Sequence, residues 1–275
     1  MKVFEYNGVK VPKLGLGTWK SKGQDCRQAV SEGLKMGYRH IDTAQIYDNE
    51  EDVGAGVKDS GVARSDIFLT TKVWRDKVRK KDLRQSVEES LKKLNTDYVD
   101  LLLLHWPVED VPLQEQLKGL QDVQKKGMTR LIGVSNYPVD LLKEAREELN
   151  ADIATDQVEY HPFLSQENVL SYLKQTGMFL TAYSPLAQGE VLENTTLREI
   201  ALKYGLNPVQ LSILWEYQQD NVVTIPKSDK IDHMKSNLDA IEKELSDEDM
   251  TKISQLQSPK GRLIDPDFAP EWDAA

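Results

Sequence analysis

Short apolar runs alternate with longer segments of helical periodicity along almost the whole chain. In DLRQSVEESLKKL, residues 82–94, and LQEQLKGLQDVQKKG, residues 113–127, apolar side chains recur every three or four positions, as on one face of a helix. Strands that are apolar on both faces and separated by such helices are typical of a parallel sheet. Eight alternations in 275 residues predict an α/β fold, a closed (β/α)8 TIM barrel, with an open doubly wound sheet as the alternative. The predicted strands are LGLGT, YRHIDT, IFLTTK, YVDLLLLH, RLIGVSN, IATDQVEY, FLTAYS and VVTIPK.

Turn residues support this division of the chain. Gly37, Gly61 and Gly127 each follow a helical stretch and precede a strand, where a left-handed residue commonly ends a helix. Asn7-Gly8 lies between alternating apolar residues and predicts a β-hairpin, which would suit a cover across the N-terminal end, or bottom, of the barrel. Because no Pro/Gly/Ser-rich linker interrupts the pattern, we expect residues 1–275 to form a single domain.

Composition narrows the class of protein. The 35 basic and 45 acidic residues leave a net charge of -10, which argues against a broad surface for nucleic acid or for an anionic membrane. One cysteine, Cys26, excludes an intrachain disulfide and a cysteine-based metal cluster. The sequence begins without an apolar targeting segment, and the run LLLL at 101–104 is too short to span a bilayer. We expect a cytoplasmic, monomeric protein with no metal site.

Each predicted strand after the first ends in side chains that can form hydrogen bonds or ionise. Any one of these endings would be unremarkable, because a strand must reach water somewhere. In series they predict a shared polar site, because catalytic groups of such barrels lie at the C-terminal ends of the strands. The residues at these ends are Asp42, Lys72, His105, Ser135, Asn136, Gln157, Tyr183, Ser184, Lys227 and Ser228.

Tyr47 follows Asp42 closely in the sequence and adds a possible proton donor to this set. Tyrosine, with a pKa of about 10, is a poor acid at neutral pH, but a nearby ammonium such as that of Lys72 favours the phenolate and lowers the pKa. Asp42 would pair with Lys72 and keep it charged in a partly buried site. His105 would donate a hydrogen bond to a substrate oxygen. These groups predict a site that polarises and protonates a carbonyl.

The group that attacks the carbonyl carbon has two interpretations. If Lys72 attacked the carbonyl carbon, the protein would be a Schiff-base aldolase, but pairing with Asp42 works against the loss of the lysine proton. A hydride would need a nicotinamide, although GLGTWK and GAGVKD lack the full glycine pattern of a Rossmann site. In a barrel, phosphate instead binds at the loops after the last two strands, where residues 225–237, IPKSDKIDHMKSN, provide Lys227, Ser228 and Lys230.

Several motifs are spread over the chain: LGLGTWK, GYRHIDTAQIYDNE, LTTKVW, LLLLHWP, IGVSNY, DQVEYHP, AYSPLA and IPKS. In order and spacing they resemble those of the aldo-keto reductases. Within that family the chain is most similar to the bacterial 2,5-diketogluconate reductases, especially the B type, and to their methylglyoxal-reducing relatives. The resemblance implies NAD(P)H-dependent reduction of small aldehydes, α-ketoaldehydes or keto sugars to alcohols; a cofactor-sensing regulatory protein on the same scaffold is the alternative.

Site residues follow from the same resemblance. It implies that Tyr47 gives the proton and that NADPH gives the hydride, with the carboxamide of the nicotinamide held by Ser135, Asn136 and Gln157 and its ring stacked on Tyr183. The implied catalytic residues are Asp42, Tyr47, Lys72 and His105. The implied cofactor-binding residues are Thr18, Trp19, Ser135, Asn136, Gln157, Tyr183, Ser184, Leu186, Gln188, Lys227, Ser228, His233 and Asn237.

One departure from the family concerns the adenosine end of the cofactor. The resemblance implies that Lys227 and Ser228 meet the 2′-phosphate and that Asn237 meets the adenine. Family members usually have an arginine at the position of His233. A mostly neutral imidazole lacks the fixed charge and fork of an arginine, so we expect NADH to be usable beside NADPH, with comparable efficiency.

Tryptophans and the C-terminal residues predict the substrate pocket. Trp19, Trp74 and Trp106 follow or end predicted strands, and flat apolar walls beside a polar end suit small carbonyl compounds. We expect Phe268 and Trp272 to pack near the pocket mouth. The small-molecule carbonyl substrate is the expected partner.

Overall fold

The computed structural model describes residues 1–273, and at its centre is an eight-stranded parallel sheet in which each strand is hydrogen-bonded to the next along the chain. The outer strands of this order also meet: Leu14 pairs with Thr224 and Gly17 with Lys227 in parallel bridges. The closed (β/α)8 prediction is therefore confirmed, and the open doubly wound alternative is wrong. The strands are β1 Val3–Tyr6, β2 Val9–Pro12, β3 Leu16–Gly17, β4 His40–Asp42, β5 Phe68–Val73, β6 Val99–Leu104, β7 Thr129–Ser135, β8 Ile153–Glu159, β9 Phe179–Tyr183 and β10 Val222–Thr224.

Helices lie between the strands of the barrel, and the two amphipathic segments of the sequence correspond to α3 and α4. Gly37 and Gly61 follow α1 and α2 with φ of 118° and 69°, which confirms their predicted left-handed geometry. Among residues 1–273, no helix has both the length and the apolar character needed to cross a membrane. The α-helices are α1 Gly23–Met36, α2 Glu50–Ser60, α3 Lys80–Leu94, α4 Leu113–Lys125, α5 Val139–Lys143, α6 Glu167–Gln175, α7 Thr195–Lys203, α8 Pro208–Gln218, α9 Ile231–Ala240 and α10 Asp247–Ser254.

The N-terminal hairpin of β1 and β2 covers one end of the barrel. Asn7 and Gly8 form its two-residue turn with φ of 48° and 76°, the geometry that an Asn-Gly turn favours. The Phe4 ring lies 5.2 Å from that of Phe179, at the start of β9. Because hairpin side chains share an apolar cluster with residues of the barrel strands, the predicted cover is confirmed.

The opposite end of the barrel carries the C-terminal tail, which we define as residues 262–273. The Phe268 ring lies 6.0 Å from that of Trp74 and 5.5 Å from that of Trp106. Trp272 also contacts Trp106, at a ring distance of 6.1 Å. The expected packing of Phe268 and Trp272 near the pocket mouth is confirmed.

Candidate active site

Four side chains from different elements converge inside the C-terminal end of the barrel. Lys72, on β5, is fully buried, and its Nζ donates to Asp42 Oδ1 at 2.5 Å, to the Thr43 carbonyl at 2.8 Å and to the Tyr47 hydroxyl at 3.3 Å. Asp42 ends β4, and Tyr47 ends the turn of 3₁₀ helix that follows it, Gln45–Tyr47. The His105 ring lies 5.7 Å from that of Tyr47. The expected pairing of Asp42 with Lys72 is confirmed.

Lys72 remains a charged ammonium at neutral pH. Burial disfavours the ammonium, but the negative charge of Asp42 and the Tyr47 hydroxyl outweigh that effect and raise the pKa of Lys72 above its usual value. A Schiff-base lysine needs the opposite shift, because only the neutral amine attacks a carbonyl. The site therefore does not favour the aldolase interpretation.

The net effect on Tyr47 differs from the expectation. Lys72 does favour the phenolate, but burial of the hydroxyl is the larger effect, and the pKa of Tyr47 is raised above its usual value. The expectation of a lowered pKa was wrong because the sequence could not show how closely protein atoms surround the hydroxyl of Tyr47, a residue that as a whole is only partly buried. Tyr47 is thus a neutral hydroxyl at physiological pH, with its proton available for transfer.

His105 is a neutral imidazole. Burial, and then the positive charge of Lys72, lower its pKa well below the usual value. Its Nδ1 is buried and has no hydrogen-bond partner within residues 1–273. The Trp74 ring packs edge-on against the imidazole, with the ring centroids 5.2 Å apart.

An amide network surrounds these groups. Gln157 Nε2 donates to the second carboxylate oxygen of Asp42 at 2.8 Å. Asn136 Nδ2 donates to the His105 carbonyl and to Ser135 Oγ, both at 3.1 Å, while its Oδ1 accepts from the Tyr183 hydroxyl at 2.8 Å. Gln157 therefore keeps its carbonyl oxygen, and Asn136 the second lone pair of its Oδ1, as acceptors for a further ligand.

A cavity of about 490 Å³ opens above this cluster. Its apolar walls include Trp19, Trp74 and Trp106, as expected, and Tyr47 and His105 reach it from below. Lys72 and Ser135 lie beneath the surface and contribute through their neighbours. Other predicted site residues that line the cavity are Thr18, Asp42, Asn136, Gln157, Tyr183, Ser184, Leu186, Gln188 and Lys227.

The predicted contacts to the adenosine end lie on α9 and the loop before it. His233 is exposed in the first turn of α9, whereas Asn237 is buried on the same helix. The Ser228 hydroxyl is used within its own loop, where it accepts from the Lys230 backbone N–H at 3.1 Å. Apart from Lys227, these residues do not line the cavity.

Several wall residues were not identified from the sequence. Lys20, Ile46, Pro185 and Ile264 line the cavity. Lys20 and Ile46 directly adjoin Trp19 and Tyr47, so proximity in sequence was an available signal. Ile264 belongs to the C-terminal tail, and nothing local distinguishes it from the other tail residues.

The backbone around the cavity is unusual. Lys20, Asn136, Ser184 and Gln188 have φ of 61°, 65°, 52° and 52°, a left-handed conformation uncommon outside glycine. Such residues cluster where the chain maintains strain to build a binding surface. Their location supports this end of the barrel as the functional one.

Comparison with known proteins agrees with this architecture. The model of the Aldo/keto reductase family matches residues 13–258. Methylglyoxal reductase DkgB of Escherichia coli O157:H7 is 40% identical over 269 residues, covering 96% of this chain and 100% of that protein. Glyoxal reductase of Bacillus subtilis strain 168 is 41% identical over 263 residues, covering 95% of each chain. The crystal structure of a putative 2,5-diketo-D-gluconic acid reductase B superposes with a TM-score of 0.97 at 42% identity, covering 100% of this chain and 98% of that one.

Proposed function

This chain belongs to the aldo/keto reductase family, and from that membership we propose that it reduces small aldehydes, α-ketoaldehydes or keto sugars to alcohols with a nicotinamide cofactor. The observation that carries the proposal is the convergence of Asp42, Tyr47, Lys72 and His105 beneath one apolar cavity. The relatives named for methylglyoxal and for a diketo sugar acid support the proposed substrate class.

Tyr47 is the proposed proton donor. When bound, the reduced nicotinamide supplies a hydride to the carbonyl carbon. The Tyr47 hydroxyl, still protonated at neutral pH, transfers its proton to the carbonyl oxygen and becomes a phenolate. The Nζ of Lys72, 3.3 Å from the Tyr47 hydroxyl oxygen, stabilises the phenolate, and Asp42 holds Lys72 in place. Water then returns a proton to Tyr47.

His105 is proposed to orient the carbonyl. Because its Nδ1 is buried with no hydrogen-bond partner in the described part of the chain, Nε2 is the nitrogen left to carry the ring proton and donate to the carbonyl oxygen. A neutral donor suits this role, since it polarises the oxygen without competing with Tyr47 to protonate it. Trp19 and Trp106 limit the pocket to compact substrates.

The residues of the cavity fit a nicotinamide cofactor. The acceptor oxygens of Asn136 and Gln157 suit the two hydrogens of a carboxamide, and the Tyr183 ring offers a flat wall for the nicotinamide. Ser135 would act through Asn136, to which it is hydrogen-bonded. Lys227, which also lines the cavity, supplies a cation for phosphate. We propose NADPH as the donor, with NADH also usable because His233 lacks the charge of an arginine.

The proposal is tested with Tyr47→Phe, assayed for oxidation of NADPH and, separately, NADH in the presence of methylglyoxal. Loss of the proton donor is expected to lower turnover by about 10²–10⁴-fold, while affinity for the cofactor stays unchanged. The matched control is Tyr98→Phe, which removes a hydroxyl from a tyrosine outside the cavity lining. A Tyr47→Phe protein with wild-type turnover would contradict the mechanism.

A further inference from the structure

Lys227, the cation proposed for the 2′-phosphate of NADPH, already has an anionic partner in this chain. Its ammonium forms an ion pair with Asp229, two residues further on. Both side chains are partly exposed, at 36% and 30%, so a ligand can reach the pair. The positive charge expected to select a phosphate is therefore partly neutralised in advance.

Asp229 is also held in position by a residue outside its own loop. Its second carboxylate oxygen accepts from the hydroxyl of Ser21, in the loop after β3. Ser21 is itself buried, and its carbonyl accepts from Asn49 Nδ2 at 2.9 Å. This hydrogen bond favours the present position of Asp229 beside Lys227.

No arginine offsets this carboxylate locally. The loop and first turn of α9 carry Lys227 and Lys230 against Asp229 and Asp232, followed by the exposed His233. A phosphate dianion placed at Lys227 would meet the Asp229 carboxylate as well, and like charges at close range repel. A ribose hydroxyl would instead be able to donate a hydrogen bond to that carboxylate, which is how acidic residues select NAD over NADP elsewhere.

We propose that Asp229 is a specificity-determining residue that lowers the preference for NADPH and favours NADH. The inference rests on the proposed function, because it requires a nicotinamide cofactor in the cavity that Lys227 lines. The effect of Asp229 differs from that of His233. With histidine in place of arginine, the site lacks one attraction for the 2′-phosphate, whereas the Asp229 carboxylate repels the phosphate and forms an ion pair with Lys227.

The test is the binding of NADP⁺ and NAD⁺ to the wild type and to Asp229→Asn, measured by isothermal titration calorimetry. The asparagine keeps an oxygen for Ser21 and removes the charge. We expect NADP⁺ to bind about tenfold more tightly and NAD⁺ to change less than about twofold. The matched control is Asp232→Asn, which removes a neighbouring exposed carboxylate that forms no ion pair with Lys227; its effect on either ligand is expected to stay below about twofold.

A double-mutant cycle separates the ion pair from a general change in charge. Lys227→Met is expected to weaken NADP⁺ binding more in the Asp229→Asn background than in the wild type, because the lysine is free only when Asp229 is neutral. Equal losses in the two backgrounds would overturn the proposed competition for Lys227. Thermal unfolding of each variant, together with a second variant, Asp229→Ser, excludes a folding defect as the cause.

The outcomes separate this inference from the proposed function. If both cofactors bind but the ratio of their affinities is the same in the wild type and Asp229→Asn, the role of Asp229 is wrong and the reductase proposal stands. If neither cofactor binds to the wild type or to either Asp229 variant, both proposals are wrong.

Discussion

At the scale of single residues, the site depends on which groups keep their protons. Tyr47 and Lys72 both have raised pKa values, the first because burial outweighs the lysine charge and the second because Asp42 and Tyr47 outweigh burial. His105 is shifted in the opposite direction. At neutral pH the site therefore contains a hydroxyl, an ammonium and a neutral imidazole, which is the set that donation to a carbonyl requires.

A pH profile follows from these shifts. Tyr47 loses its proton only above its usual value of about 10, and His105 gains one only well below 6.5. We therefore expect kcat/KM for NADH-dependent reduction of methylglyoxal to be level from about pH 6.5 to 9 and to fall at higher pH. NADH is used because it lacks the titrating 2′-phosphate.

The control for this profile is His233→Asn, which removes an exposed imidazole outside the cavity and is expected to leave the profile unchanged. An inflection near pH 6.5 that persists in this variant would mean that His105 ionises normally, and the assignment of a neutral donor would be wrong.

At the scale of elements, β8 connects the site to the C-terminal tail. Glu159, at the end of β8, is fully buried, and its carboxylate accepts from the backbone N–H groups of Leu263 and Ile264, both at 3.0 Å. His161 Nε2 lies 3.1 Å from the same carboxylate. Since Ile264 lines the cavity and Phe268 packs on its tryptophans, Glu159 fixes the part of the tail that shapes the substrate pocket.

Loosening the contact between Glu159 and the tail should weaken substrate binding and leave cofactor binding almost unchanged. In Glu159→Gln the two backbone N–H donors lose a carboxylate acceptor. A hydrogen bond to a charged group contributes about 1.5–3 kcal/mol to stability. We expect KM for methylglyoxal to rise about five- to tenfold, with the Kd for NADP⁺ changed less than about twofold.

Two further variants define that result. Phe268→Ala removes a ring of the tail and, unlike Glu159→Gln, places no amide in a buried position. It is also expected to raise KM for methylglyoxal. Glu248→Gln, which changes an exposed side chain on α10, is the matched control and should leave KM unchanged. An unaltered KM in a folded Glu159→Gln protein would exclude the anchoring role.

At the scale of the whole molecule, the barrel is closed at the bottom by the hairpin and enclosed by helices, so some carboxyl groups are far from water. Glu216, on α8, and Asp156, on β8, are fully buried. Burial raises the pKa of each well above its usual value, and for Asp156 the hydrogen bond from the Tyr137 backbone N–H opposes this with a smaller effect. These groups therefore stay protonated in the fold under conditions that ionise them in the unfolded chain.

Glu216 makes stability depend on pH with a definite sign. Above about pH 4.5 the unfolded carboxyl loses its proton while the folded one retains it, so this residue lowers the free energy of unfolding increasingly until the pH reaches the folded pKa. Glu216→Gln removes the effect. The free energy of unfolding of the variant minus that of the wild type is expected to increase by at least about 1 kcal/mol as the pH rises from 5 to 8, measured by urea unfolding.

Glu199→Gln, on the exposed side of α7, is the control and should show no such gain. A constant difference between Glu216→Gln and the wild type across this pH range would show that the folded carboxyl ionises normally.

The architecture and most of the site could be predicted from the sequence because they depend on local patterns. A strand covered on both faces must be apolar throughout, and the positions where Asp42, Lys72 and His105 interrupt that pattern mark the end of the barrel that faces solvent. The Asn7-Gly8 turn is likewise specified by its own two residues, because both have positive φ.

Only the tertiary structure decided how those residues behave together. The protonated state of Tyr47 depends on the depth of burial, which no neighbour in sequence sets. Ser21, which anchors Asp229, is separated from it by 208 positions in the sequence. Glu159 is separated by 104 and 105 positions from the two tail residues that it anchors. The physical reason is that pKa values and ion pairs depend on distance and solvent exposure in three dimensions, whereas periodicity and turn preference act between residues close in the chain.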